Sequence, residues 1–295
     1  MLTIPDSEKS KNAGLALSLI EKITRFDKKK KLFLVAFGGG VVGDLTGFIA
    51  AIYKRGVPYI QVPTTLLAQI DSSIGGKTAI DTSYGKNLVG AFYQPRFIIS
   101  DIALLKSLPC GQMLAGLSEA VKYALIKDPA LYAFLKKYHQ KVLKKDTRAL
   151  SFLLARCAAI KAKIVAADEF DKTGIRMILN FGHTFAHAIE AASRFKTSHG
   201  EAVSLGMVCA CRLSEKLGLL KHKVGSEAIG LIKKMGMPTV IKGIKQGAIL
   251  KALAYDKKFA GSTNRFVLLE KIGRTRIAEN IPKHLVSEVV NETLK

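Results

Sequence analysis

The sequence predicts a chain of two unlike parts, an α/β part over residues 1–105 and a mostly α-helical part over residues 106–295. In the first part, short β-branched and aromatic runs alternate with stretches of helical spacing, which is typical of a parallel, doubly wound sheet. In the second part, apolar residues recur at helical spacing and strand signals nearly vanish. With 295 residues, 48% of them hydrophobic, the chain is long enough to bury a sizeable core.

The α/β part begins with a predicted helix over residues 12–26, because Leu15, Leu19 and Ile23 fall on one helical face. Residues 71–90 are rich in glycine and polar side chains and are predicted to form loops. The remaining elements are a buried strand over 32–37, a helix over 41–53, a strand over 59–62 and a last strand over 97–100. Ligands of such sheets bind beyond the carboxyl ends of the strands, so we expect the active site between the two parts.

The helical part begins after Leu108 and Pro109, where the strand signals end. One stretch, residues 265–269, has the composition of a strand and is predicted to be one arm of a hairpin. The predicted helices cover residues 115–126, 148–168, 179–193, 201–217 and 225–235.

The chain is strongly basic, with 46 Lys and Arg against 23 Asp and Glu and a formal charge of +23. Such a charge is found in nucleic-acid binders, but here the basic residues are scattered and are not interleaved with aromatic residues. Lysine-decorated helix faces explain most of them, and a pocket for an acidic substrate explains some. We therefore expect no nucleic-acid partner.

The N-terminal residues lack the pattern of a secretory signal peptide, and no apolar stretch is long enough to span a membrane. The four cysteines are too few for a disulfide framework in a chain of this length. These features indicate a cytoplasmic protein without a membrane partner.

Two histidines, His183 and His187, are four positions apart within a predicted helix and therefore share one of its faces. This spacing occurs in helical zinc motifs, but a pair of surface histidines has the same spacing. A third histidine, His199, follows at the start of the next helix. Glu119 and Lys122 lie in a helix of small and apolar residues, where a buried charge requires a partner or a metal ion. A solvated pair is the alternative for these two.

Glycine-rich turns follow the predicted strands of the first part. Gly38, Gly39 and Gly40 lie between a strand and a helix, where glycines let the backbone approach a pyrophosphate at the helix N-terminus. The segment Gly75-Gly76-Lys77-Thr78 resembles the end of a P-loop, but the first glycine of that motif is missing, which argues against a nucleoside triphosphatase. The first part is therefore interpreted as a Rossmann-like nucleotide-binding domain.

Six blocks of the chain together resemble the 3-dehydroquinate synthases, the sugar-phosphate cyclases of the shikimate pathway. The blocks occur in the order that the family has, and the resemblance extends over nearly the whole chain. They are GGGVVGD at 38–44, QVPTTLLAQIDSSIGGKTAID at 61–81, GKNLVGAFYQP at 85–95, GLSEAVKY at 116–123, LNFGHTFAHAIE at 179–190 and SHGEAV at 198–203.

The resemblance implies a role for individual residues. Glu119, His183 and His199 match the family's metal ligands, for Zn²⁺ or Co²⁺. The residues that match catalytic groups are His187, Lys77, Lys122 and Asp71. The substrate-binding matches are Lys77, Lys86, Asn87, Arg176, Asn180, His187 and, as a candidate for a late substrate lysine, Lys257. The NAD-binding matches are Glu8, Lys11, Gly39, Gly40, Asp44, Thr64, Thr65, Lys77 and Lys86.

The same resemblance implies a lyase that acts on 3-deoxy-D-arabino-heptulosonate 7-phosphate, a small phosphorylated and carboxylated sugar. The products are 3-dehydroquinate and phosphate, formed by transient oxidation with NAD, phosphate elimination, re-reduction and aldol closure. The family further suggests a homodimer. Alternatives are another cyclase, such as one that resembles 2-deoxy-scyllo-inosose synthase, and a polyol dehydrogenase of similar plan.

The family normally begins about sixty residues earlier, with strands of the first βα unit of the nucleotide fold. From this difference we expect the Rossmann-like domain to be incomplete. An inactive, truncated fragment is therefore a further alternative.

Overall fold

The computed structural model describes residues 1–27, 31–255 and 264–295, so Lys257 lies outside the described residues. The first part of the chain confirms the predicted alternation of helix and strand up to residue 63. Its elements are α1 (Ala13–Phe26), β1 (Leu34–Gly38), α2 (Gly40–Ile52), β2 (Tyr59–Pro63), a π-helical turn (Ala68–Ser72), β3 (Lys77–Thr82) and β4 (Gly85–Phe92).

The predicted parallel pairing is confirmed for β1 and β2, which align from Leu34 opposite Tyr59 to Gly38 opposite Pro63. The predicted last strand, residues 97–100, forms only a short parallel bridge. There the Gln61 N–H donates to the Phe97 carbonyl at 3.2 Å, and the Ile99 N–H donates to the Gln61 carbonyl at 2.8 Å. Within the described residues, the parallel sheet therefore consists of β1, β2 and this bridge.

The prediction of loops over residues 71–90 was wrong, because β3 and β4 form an antiparallel hairpin there. Thr78 and Ile80 alternate inward with exposed or half-buried neighbours, but this run is short and is bordered by glycines. Gly47 of α2 faces Thr78 so closely that an added Cβ would lie 2.3 Å from its Cγ2. The hairpin thus packs directly on α2, and it carries Lys77, Lys86 and Asn87.

The second part is helical, as predicted, with one hairpin. The predicted helix over 179–193 is in fact a 3-10 helix (Ile175–Asn180) and a separate α-helix, because Gly182 between them has a φ of 80°. The elements are α3 (Cys110–Ile126), α4 (Pro129–Leu143), α5 (Thr147–Ala167), α6 (His183–Ala192), α7 (His199–Lys216), α8 (His222–Lys234), α9 (Gln246–Tyr255), β5 (Arg265–Lys271), β6 (Arg274–Glu279) and α10 (Lys283–Thr293).

Helix α7 is the centre of the larger hydrophobic core and is buried along most of its length. Small residues allow its neighbours to come close. An added Cβ at Gly206 would lie 2.1 Å from the Gly182 carbonyl oxygen, and one at Gly200 would lie 2.4 Å from the Ala115 Cα. The N-terminal ends of α6 and α7 are therefore held next to the middle of α3.

In the described part of the chain, no helix is long and apolar enough to span a bilayer.

The N-terminal strand alternates, with Ala36 buried and Val35 and Phe37 exposed at 51% and 61%. Strand β1 therefore contributes to the smaller core, around α1 and α2, with one face only.

The contact between α3 and the segment after β2 is tight enough to test. A Cβ at Gly116 would lie 2.6 Å from the Leu66 Cβ and 2.7 Å from the Leu67 backbone nitrogen. We expect Gly116→Ala to lower the free energy of unfolding by about 1–3 kcal/mol, because overpacking displaces backbone. Gly111→Ala, on the same helix but with open space around it, is the control and should be neutral or slightly stabilising. Equal stability of both variants in urea unfolding would contradict this packing.

Candidate active site

Three metal-ligand side chains from three helices converge on one point. Glu119 lies in the middle of α3, and His183 and His199 are the first residues of α6 and α7. The Glu119 Oε1 atom is 3.4 Å from the His183 Nε2 and 3.8 Å from the His199 Nε2, and the ligand atoms of all three lie within 4.8 Å of one another. A tetrahedral zinc ion separates neighbouring ligand atoms by about 3.3 Å, so this donor set fits such an ion.

Local sequence fixes both histidines at helix starts. Gly182 has the left-handed backbone that lets the chain turn directly into α6 at His183. Ser198 and Glu201 form a capping box in which each side chain binds the other's backbone N–H, and this begins α7 at His199. Sixteen residues separate the two histidines, so helical spacing alone could not have paired them.

The outer nitrogen of each imidazole also has a partner. The His183 Nδ1 is 3.3 Å from the Phe181 carbonyl oxygen, and the His199 Nδ1 is 3.3 Å from the Glu190 Oε1. Each Nε2 is thereby directed toward Glu119. Burial lowers the pKa of His183, with a further contribution from the Lys122 charge. Burial opposes protonation of His199, but its hydrogen bonds to Glu119 and Glu190 raise its pKa to about 10.

A chain of alternating charges leads from Glu119 into the first part of the molecule. Lys122, 2% exposed, contacts the Glu119 carboxylate, and its Nζ is 3.7 Å from the Asp71 Oδ2. Asp71 in turn accepts a hydrogen bond from Lys161 of α5. Burial acts against both charges, yet the Lys122 ammonium holds the pKa of Glu119 well below its usual range, and Glu119 raises the pKa of Lys122.

Lys161 was not identified from the sequence, although a signal was present. It lies on the face of α5 that also carries the buried Cys157, Ile164 and Val165. A lysine at a core position of an amphipathic helix requires a buried anion, and Asp71 provides it. Glu190 likewise has no predicted role, although it ends the block LNFGHTFAHAIE.

The third histidine of this region, His187, lies one turn after His183 on α6. Its ring centroid is 5.8 Å from that of His183, and its side chain is exposed. It is outside the group of three whose ligand atoms converge. The pairing that the spacing of His183 and His187 first suggested is therefore replaced by His183 with His199.

Two of the expected substrate residues, Arg176 and Asn180, lie on the 3-10 helix Ile175–Asn180. Arg176 is buried, donates to the Glu169 carbonyl at 2.9 Å and packs beside Gly75 of the first part. Asn180 lines a cavity of about 580 Å³ together with Asp171. The Lys77 ammonium binds the Asp171 carboxylate at 2.5 Å. These contacts join the hairpin of the first part to the helical part.

The residues expected at NAD form a second charged group. The Lys11 Nζ donates to the Asp44 Oδ2 at 2.7 Å and to the Asn87 Oδ1 at 2.5 Å, and it lies 3.5 Å from the Glu8 Oε1. Lys86 approaches Glu8 at 3.9 Å. A cavity of about 420 Å³ is lined by Glu8, Lys11, Lys86 and, from the helical part, Phe195. Asn87, expected at the substrate, thus contacts Lys11.

The glycine turn lies at the start of α2. This helix begins at Gly40 and has no side-chain cap, so its first N–H groups are open to an anion. Thr64 donates its N–H to the Gly38 carbonyl at 2.9 Å, and Thr65 is 3.1 Å from the position of a Cβ on Gly39. Side chains on the glycines would fill this narrow cradle.

Comparisons with known proteins agree with this geometry. Two curated relatives are named 3-dehydroquinate synthase. That of Dehalococcoides mccartyi (strain CBDB1) is 43% identical over 291 residues, which is 99% of this chain and 81% of the relative. That of Nitrosospira multiformis is 40% identical over 292 residues, 99% of this chain and 80% of the relative. A solved structure of 2-deoxy-scyllo-inosose synthase complexed with carbaglucose-6-phosphate, NAD⁺ and Co²⁺ has a TM-score of 0.90 at 29% identity, with 99% of this chain and 83% of that chain covered.

Two family models match consecutive stretches. The model for the 3-dehydroquinate synthase N-terminal domain matches residues 1–115, and the model for the C-terminal domain matches residues 116–259. These two matches include most of the chain, and the two relatives are 40% and 43% identical to it over the aligned residues. The chain belongs to the 3-dehydroquinate synthase family.

Proposed function

We propose that this chain converts 3-deoxy-D-arabino-heptulosonate 7-phosphate to 3-dehydroquinate and phosphate, with one divalent metal ion and NAD. The observation that carries the proposal is the convergence of Glu119, His183 and His199 in a chain of this family. One carboxylate and two imidazoles leave coordination positions free for a substrate, as a catalytic ion requires. Zn²⁺ and Co²⁺ both suit this donor set.

The cofactors would be held by residues of both parts. The ion would bind Glu119, His183 and His199, and NAD would bind at the turn of Gly39 and Gly40. Further contacts to NAD are assigned to Glu8, Lys11, Asp44, Thr64, Thr65, Lys77 and Lys86. When bound, the metal polarises a substrate oxygen, and NAD accepts and returns a hydride.

The protein's own side chains bind and orient the substrate. A phosphate and a carboxylate call for ammonium and guanidinium donors, which Lys77, Lys86 and Arg176 supply. Asn87 and Asn180 add amide contacts. Asp71 and Lys122 form an ion pair in the buried charge chain and determine the electrostatic potential beside the proposed metal ligands. His187 is exposed next to them and is the proposed group for proton transfer.

Three organisational features belong to the same proposal. Residues 1–105 form the nucleotide-binding domain, and residues 106–295 form the metal- and substrate-binding domain, with the site between them. The protein acts as a homodimer in the cytoplasm. Its only ligands are small molecules, and the lysines of the site fit an acidic substrate.

Another cyclase activity is the second candidate, because a 2-deoxy-scyllo-inosose synthase has the same fold at a TM-score of 0.90. The purified protein with Zn²⁺ or Co²⁺ and NAD should release phosphate from the seven-carbon 3-deoxy substrate and not from glucose 6-phosphate or sedoheptulose 7-phosphate. A phosphate assay with the three substrates separates the candidates. Net accumulation of NADH, measured by the absorbance of the reduced cofactor, would instead support a dehydrogenase.

Removal of a proposed ligand should remove the ion. We expect His183→Ala to lose bound zinc and to lower phosphate release about 100-fold or more, since the metal stabilises charge in the transition state. His222→Ala is the matched control, because His222 is 87% exposed on α8, pairs with Glu215 and lies outside the converging group of three. Metal content by atomic emission, equal in both variants, would contradict the proposed site.

Lys122 should be needed for folding as well as for the site. Replacement by Met leaves the buried carboxylate of Glu119 without its ammonium partner, which typically costs about 3–5 kcal/mol. We expect Lys122→Met to lower the free energy of unfolding by that amount in chelator, and Zn²⁺ to restore part of it by supplying positive charge. Lys127→Met, at the exposed end of the same helix, is the control. Urea unfolding that does not distinguish the two variants would disprove the role of Lys122.

A further inference from the structure

A second carboxylate lies behind His199, on the opposite side of its ring from Glu119. The Glu190 Oε1 is 3.3 Å from the His199 Nδ1, while the His199 Nε2 is 3.8 Å from the Glu119 Oε1. The imidazole therefore bridges two carboxylates, one proposed as a metal ligand and one with no role so far.

The two proposed histidine ligands differ in how they are held. His183 is 13% exposed, and its Nδ1 faces a backbone carbonyl, which cannot rotate away. His199 is 41% exposed, so packing restrains its ring less than that of His183, and the Nδ1 contact is to a side chain. The orientation of His199 thus depends on Glu190, itself only 15% exposed.

Glu190 is well placed for this task by its position on α6. His183, His187 and Glu190 are at helical positions i, i+4 and i+7, so they share one face. The Glu190 carbonyl accepts hydrogen bonds from the Ser193 hydroxyl at 2.9 Å and from the Phe195 N–H at 2.7 Å, which fixes the backbone at the end of the helix. The helix that supplies one ligand thereby also holds the other.

A neutral imidazole binds a metal ion through Nε2 when its proton is on Nδ1, and an acceptor at Nδ1 selects that form. A carboxylate acceptor also makes the ring a stronger ligand, and loss of such a partner typically weakens metal binding 10–100-fold. We propose that Glu190 is the positioning residue for His199, which it holds with Nε2 directed at the metal ion. This inference rests on the proposed function.

Zinc affinity, measured by competition with a chromophoric chelator at constant pH, tests the role directly. We expect Glu190→Ala to bind Zn²⁺ about 10–100-fold more weakly than the wild type. Glu190→Gln should lose less, because its amide oxygen still accepts from Nδ1 but carries no charge. The visible spectrum of bound Co²⁺ should change in Glu190→Ala, since the ligand ring is no longer held in one orientation.

The chain contains a matched control pair. Glu215 of α7 lies outside the converging group of three. Its Oε2 lies 2.8 Å from the Nδ1 of the exposed His222. Glu215→Gln should therefore leave zinc affinity and the Co²⁺ spectrum unchanged. NAD affinity should be the same in all variants.

Zinc affinities of both Glu190 variants equal to that of Glu215→Gln, with an unchanged Co²⁺ spectrum in Glu190→Ala, would overturn the inference. Thermal unfolding in chelator identifies a variant that fails to fold. If Glu190→Ala does not fold, the zinc affinity of Glu190→Gln alone tests the inference. His199→Ala separates the two levels of the argument. If it loses zinc while both Glu190 variants bind normally, only this inference fails. If it binds zinc as the wild type does, the proposed metal site fails as well.

Discussion

The carboxylate of Glu119 is the constraint on which the rest of the structure depends. It lies 1% exposed in a helix whose other buried residues, apart from Lys122, are mostly small or apolar, and an isolated charge in such a place is prohibitively costly. An ammonium and two imidazoles therefore approach it from one turn along α3 and from the first residues of α6 and α7. The close contacts at Gly182, Gly200 and Gly206 are what allow three helices to come near enough for this.

Local pattern was sufficient for much of the fold. The alternation up to residue 63 and the long amphipathic helices follow from periodicities that each segment carries by itself. Helices α4, α9 and α10 and the hairpin of β3 and β4 were missed. The hairpin has only Thr78 and Ile80 as inward anchors, and its glycines and lysines are the residues that a loop also has. Its strand character comes from packing on α2, which no local pattern contains.

The site shows the same division. The buried pair of Glu119 and Lys122 could be expected because charges are conspicuous in an apolar helix. His183 and His187 were paired first because helical spacing is visible in sequence, whereas the contact of His183 with His199 is made by two helix starts in space. Lys161 and Glu190 act on groups that are 90 and 9 residues away. Before the fold was known, only the resemblance to a family joined Glu119 with His183 and His199, and it gave no role to Lys161 or Glu190.

The alternating charges of Glu119, Lys122, Asp71 and Lys161 extend from the proposed metal ligands to the segment after β2. A cation bound at Glu119 would compete with Lys122 for the same carboxylate, so Lys122 would then interact more strongly with Asp71. Thermodynamic linkage makes such coupling reciprocal. If a bound ion changes the affinity of a ligand that contacts the Asp71 segment, that ligand changes the affinity of the ion by the same factor. Ligand binding in the cleft and retention of the metal ion would then be thermodynamically coupled.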